Sequence, residues 1–109
     1  MGKNRDRITI VVSILEIANL SAGKTRIMFG ANLSFKLLEK YLALVVDVGF
    51  VYSESSKFYL TARGREFLRR YKDYAEHCVD AQKLIENLRI EKDSLDLMCK
   101  SLSLPSLET

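Results

Sequence analysis

The apolar positions of this chain change period along its length, and each period predicts an element. From Ile8 to Ala18 the pattern is dense: Val11, Leu15 and Ala18 form one stripe, and Ile10, Ile14 and Ile17 form another. The β-branched run Ile8-Thr9-Ile10-Val11-Val12 would suit a strand. Apolar spacing nevertheless continues to Ala18 without a turn signal, which is too long for an ordinary strand. A helix over residues 7–20 is predicted, capped by Asp6 and stopped by Gly23. A surface helix needs one apolar stripe, so its second is expected to meet the terminal helix or a second subunit. A short helix follows over residues 25–30, and Gly30 and Asn32 then tolerate the positive φ of a tight turn. Ser34 is placed to cap a helix over residues 34–48, whose buried stripe is Leu38, Tyr41, Leu42, Val45 and Val48. Gly49 ends it. Phe50-Val51-Tyr52 and Lys57-Phe58-Tyr59-Leu60 flank the polar tip Ser53-Glu54-Ser55-Ser56 and predict a β-hairpin. The tip lacks Asn-Gly or Gly-Gly, so a loop of about four or five residues is expected rather than a two-residue turn.

Beyond the hairpin the apolar spacing becomes heptad. The series is Phe67, Tyr71, Tyr74, Cys78, Ala81, Ile85, Leu88, Lys92, Leu95, Cys99 and Leu102, and only Lys92 breaks it. A 3.5-residue period sustained this long signals a left-handed coiled coil. Thr61 caps its start and Pro105 limits its end. Such a helix is roughly 60 Å long. Its seam needs a partner helix, and a second copy of the chain supplies one. A parallel pair sets Lys92 against its own copy. An antiparallel pair sets Ala81 against the partner's Ile85, Cys78 against the partner's Leu88, and Tyr74 against the partner's Lys92. Tyr71 then faces the partner's Leu95, and Phe67 the partner's Cys99. Small meets large in the middle layers, and a lysine over a tyrosine face contributes about 0.5–2 kcal/mol. The antiparallel homodimer is the expectation.

The net charge of +3 over 109 residues argues little alone, but its distribution changes the picture. Residues 24–72 hold ten cations and four anions, and the remainder is net negative. Arg63, Arg65, Arg69, Arg70 and Lys72 crowd a helix start, where the dipole disfavours each cation by about 0.3–1 kcal/mol. Phosphate, or acids from the partner's far end, would offset that cost. Ser21-Ala22-Gly23-Lys24-Thr25 has the end of a phosphate-binding loop, but Ala18 stands where its first glycine is required. His77 lacks metal-ligand spacing, and Cys78 and Cys99 fit seam positions better than a zinc site or disulfide framework. No nucleophile–base set or carboxylate pair assembles. No enzyme, cofactor, metal, small-molecule substrate or membrane span is expected, and the location expected is cytoplasmic, with the nucleoid.

Three helices, a hairpin and a long helix make a mainly α winged-helix order. The run KTRIMFGANLSFKLLEKYL, with YLTARGREFL after the hairpin, resembles the small archaeal winged-helix chromatin proteins. Phe29 and Phe35 stand where that family usually has tyrosine. The resemblance implies a DNA-binding head over residues 1–60 and an antiparallel coiled-coil helix over 61–104, followed by a disordered tail over 105–109. The third helix is expected to enter the major groove of double-stranded DNA through Asn32, Ser34, Phe35, Lys36 and Lys40. Lys24 and Arg26 would hold backbone phosphate, and Lys57 and Arg63 the flanking backbone. Antiparallel pairing separates two heads, which suits chromatin organisation with little sequence selectivity. Two other readings stand beside it: a sequence-specific regulator, and a winged-helix interaction module that never meets nucleic acid.

Overall fold

Asp6 opens the first helix as the sequence predicts: its carboxylate accepts the Thr9 N–H at 2.9 Å, and that bond holds its carboxyl below the usual carboxylate range. The structure is a computed structural model that describes residues 5–100. The elements in order are α1 (Arg7–Ala18), α2 (Lys24–Gly30), α3 (Phe35–Asp47), β1 (Val51–Glu54), β2 (Lys57–Leu60) and α4 (Ala62–Lys100). The chain divides into two units, Met1–Lys72 and Asp73–Thr109, so α4 begins in the first and continues through the second. Leu102, Pro105 and the predicted tail over residues 105–109 lie outside the described residues.

The first unit is built around α1. Ile10, Val11, Ile14, Leu15 and Ala18 are all buried in one core with Ile27, Leu33, Leu38, Leu42, Val45, Val51 and Leu60. Each fully buried Leu or Ile contributes about 1.5–3 kcal/mol. Helix α1 packs on α2, α3 and β2, so both of its apolar stripes are satisfied inside this unit. The second stripe of α1 is therefore covered inside its own head, and the terminal helix joins it in part: Phe67 and Leu68, from the start of α4, pack against the same core. It also ends earlier than expected. Ser21 takes the positive φ of 57° that turns the chain, while Gly23, expected as the stop, has a φ of −79° and precedes α2 as its N-cap.

Asn32 carries the positive φ of the next turn, at 56°. Gly30 lies inside α2, and a Cβ there would meet the Ile17 Cδ1 at 2.6 Å. Ser34 caps α3, its Oγ accepting the Leu37 N–H at 3.2 Å. Leu38, Tyr41, Leu42 and Val45 are buried as expected. Val48 is 39% exposed; α3 ends at Asp47, and Gly49 at φ +82° redirects the chain before Val48 completes the stripe.

The hairpin differs from expectation at its tip. Glu54 pairs with Lys57, leaving a two-residue turn at Ser55 and Ser56, whose φ values are 53° and 65°. Positive φ at both central positions is the type I′ geometry, which matches strand twist. Serine adopts it here at a cost, because the register fixed by Val51 opposite Leu60 in the core leaves no room for a longer loop. Ser56→Gly is expected to raise the unfolding free energy by about 0.5 kcal/mol, as relief of the left-handed conformation outweighs glycine's added chain entropy. A urea melt reads this, and an unchanged midpoint would contradict it. Tyr52 and Tyr59 stack across the strands at 5.3 Å. Ala22 joins the hairpin edge as a single-residue bridge, donating to the Phe58 carbonyl at 3.3 Å and accepting its N–H at 2.8 Å.

Thr61 starts α4. Its Oγ accepts the Gly64 N–H at 3.0 Å, and its hydroxyl donates toward the Gly49 and Phe50 carbonyls. Phe67 packs on Phe50 with ring centroids 4.7 Å apart. In the second unit α4 is exposed at every residue from Glu76 to Lys100, and Glu86–Arg89 and Lys92–Asp96 pair along it at 3.4 and 3.7 Å.

Candidate nucleic-acid interface

The segment from Lys24 to Lys40 folds as helix, turn and helix, and its cations lie at the surface. Arg26, Lys36 and Lys40 are all exposed. The Lys40 Nζ sits 5.4 Å from the Tyr41 ring centroid. Ser34 spends its oxygen on the cap and keeps its O–H to donate. Asn32, in the turn, offers its side chain while its carbonyl accepts from the Arg5 Nη2 at 2.9 Å. Arg5 thereby adds a cation beside the turn, a residue that the sequence pattern did not single out; a contact spanning 27 positions leaves no local signal. Phe35 is the first residue of α3 and is exposed, as is Phe29 on the last turn of α2.

Two expected phosphate contacts have work inside the chain. The Lys24 Nζ pairs with the Glu39 Oε2 at 2.7 Å and ties α2 to α3. The Arg63 Nε donates to the Val48 carbonyl at 2.9 Å, which satisfies one of the carbonyls left open at the end of α3, and its guanidinium lies over the Phe50 ring at 5.6 Å. Lys57 is exposed beside the wing turn and opposite Glu54.

Four of the five crowded cations at the start of α4, Arg63, Arg65, Arg69 and Arg70, find intramolecular partners. Glu66 accepts from Arg69 Nε at 3.1 Å and Nη2 at 2.7 Å, and from Arg70 Nε at 3.0 Å. Arg65 donates weakly to the Leu60 carbonyl at 3.4 Å. Those bonds, Arg69 first and Arg70 second, hold the Glu66 carboxyl at about 2 against an ordinary 4.5. A depressed carboxylate contributes stability above its unfolded value and loses it as pH falls through its folded value. The first turns of α4 are expected to lose hydrogen-exchange protection between pH 4.5 and about 2, and Glu66→Gln to remove that step. An acid step unaltered in the variant would assign it to another group. The effect is modest, because the pair is solvent-screened.

Among the described residues no group of His, Cys, Asp and Glu is placed to hold a metal, and no helix is long and apolar enough to cross a membrane. Cys78 and Cys99 are free exposed thiols. Of the predicted seam, Phe67 and Tyr71 are half-buried in the first unit. Tyr74, Cys78, Ala81, Ile85, Leu88, Lys92, Leu95 and Cys99 are exposed in the single chain. Leu84 and Met98, which the heptad reading passed over, are exposed as well.

A crystal structure of Sso10a-2, a DNA-binding protein from Sulfolobus solfataricus, superposes with a TM-score of 0.58 at 23% identity, covering 89% of this chain and 99% of that one. Two uncharacterized proteins of Methanocaldococcus jannaschii are similar in sequence. MJ0290 is 31% identical over 70 residues, covering 63% of this chain and 33% of the relative, so the match spans about a third of that protein's length. MJ0287 is 33% identical over 72 residues, covering 60% of this chain and 74% of the relative. The winged helix-turn-helix family matches residues 4–78; with three helices, a paired wing and a capped second helix of the motif in place, the chain belongs to that family.

Proposed function

We propose that this chain is a homodimeric DNA-binding protein that organises the nucleoid through two winged-helix heads, with little sequence selectivity. The observation that carries the reading is the exposed cationic set on α2, the turn and α3: Arg26, Lys36 and Lys40, with Arg5 bonded at the turn. Exposed cations at the start of a reading helix suit phosphate and base edges. The donors present favour phosphate, which is the same at every sequence. The neighbouring DNA-binding protein of the same fold supports duplex DNA as the partner. Binding is the expected activity, and no step of covalent chemistry is required of any residue.

Dimerisation follows from α4. Ile85, Leu88 and Leu95 are 54%, 55% and 63% exposed in the single chain, and burying such side chains yields about 1.5–3 kcal/mol each. A second copy of the helix, running antiparallel, covers them and relieves Lys92 of facing itself. Two heads separated along a coil then bridge two duplexes or hold one at distant points.

Titration of duplex binding against salt tests the proposal, with solution mass measured on the same sample. A dimer is expected, with an apparent affinity that falls steeply and linearly in log–log form. A flat slope, or a single-chain mass at micromolar concentration, would overturn it. Selection of bound oligonucleotides from a random pool separates this reading from a sequence-specific regulator, which would yield a tight consensus.

A further inference from the structure

The tip of α3 presents an aromatic ring between the polar side chains of Ser34 and Lys36. Phe35 is 64% exposed and Phe29, across the same turn, is 73% exposed. Neither belongs to the core. The polar atoms nearest in sequence are partly committed: the Ser34 Oγ holds the Leu37 N–H, and the Asn32 carbonyl holds Arg5. Exposed cations at Arg26, Lys36 and Lys40 flank the rings in the chain, and the one carboxylate of the segment, Glu39, is bound to Lys24.

We propose that Phe35 reads thymine 5-methyl groups in the major groove and gives the head a preference for A·T-rich duplex. The inference rests on the DNA-binding reading above and adds a specificity-determining residue to it. A reading helix sets its first residues against base edges. A phenyl ring has no donor or acceptor, so most groups on the groove floor offer it nothing. Thymine alone places an apolar group there. Contact removes both ring and methyl from water, which is favourable in proportion to the apolar area covered. The surrounding positive charge favours a polyanion over a protein surface as the occupant. Selectivity stays weak, because one methyl contact discriminates far less than a bidentate hydrogen-bond pair.

Two duplexes of one A·T-rich sequence make the test, one with thymine and one with deoxyuridine, which differs only in lacking the methyl. Fluorescence anisotropy with the full chain is expected to show the uracil duplex bound about threefold to fivefold more weakly. Phe35→Ser should bind both duplexes equally while keeping the wild-type salt slope. Phe35→Leu, apolar and easily folded at an exposed site, should keep a thymine preference. Equal wild-type affinity for the two duplexes overturns the inference, as does an undiminished preference in Phe35→Ser. In either case steep salt dependence on both duplexes leaves DNA binding itself standing. Failure to hold either duplex in dilute salt overturns the binding reading and this inference together.

Discussion

A chain carrying Arg26→Glu, Lys36→Glu and Lys40→Glu is expected to release duplex DNA under conditions where the wild type holds it. None of the three side chains is buried, and the core beneath them is formed by Ile27, Leu38 and Leu42. The fold should therefore survive, with circular dichroism unchanged. Each lost phosphate contact lowers the slope of log affinity against log salt by about 0.9, so the triple variant should lose up to about 2.7 of slope if all three lie on phosphate. Affinity at low salt should fall by roughly a hundredfold or more, since reversed charges also repel the duplex. Retention of wild-type affinity would place the DNA face elsewhere or favour an interaction module that never meets nucleic acid. Lys24 is left out of the set, because its pairing with Glu39 would confound lost binding with a loosened α2–α3 contact.

Gly64→Ala should have the largest effect on stability. At most helix positions that change adds about 1 kcal/mol of stability. Here a Cβ would stand 2.2 Å from the Phe50 carbonyl oxygen, 2.9 Å from the Leu60 Cδ1 and 3.1 Å from the Phe50 carbonyl carbon. Backbone cannot yield as a side chain does, so α4 must lift from the wing and loosen the Thr61 bonds and the Phe50–Phe67 contact. The expected loss is about 2–3 kcal/mol, a large share of the roughly 5–15 kcal/mol that stabilises a domain. Gly30→Ala is the comparison: its Cβ meets only the Ile17 side chain, closest at Cδ1, and its cost should be clearly smaller. Urea melts of both variants decide the matter, and a wild-type midpoint for Gly64→Ala would refute the close-packing account.

The order of elements was legible because each rests on local chemistry: the Asp6 and Ser34 caps, the α3 stripe and the strands around a polar tip. What escaped the sequence depends on long-range packing. Two apolar stripes on α1 do not state whether the second belongs to the same head, and only the positions of α2, α3 and β2 decide it. Ser55-Ser56 carries no turn signature, so register imposed by the core selected a turn that local preference would not. The candidate site was readable as a set of cations on one segment. It was not readable that Lys24 and Arg63 would bond to Glu39 and to the Val48 carbonyl, or that Arg5 would reach Asn32. Likewise Glu66 answers Arg69 and Arg70 from within one turn; the i+3 and i+4 spacing is present in the sequence, but spacing alone does not say whether a carboxylate of the same helix or an external acid takes the cations.

The Thr61 hydroxyl bears on the order in which the molecule assembles. It links the carbonyls of Gly49 and Phe50 to the amide of Gly64, so a refolding head fixes the opening of α4 as part of its own collapse. Helix initiation is the improbable step and elongation the easy one. A chain that has closed its head therefore needs only to extend α4 residue by residue, and in the proposed dimer the encounter of two copies would be a later, concentration-dependent event.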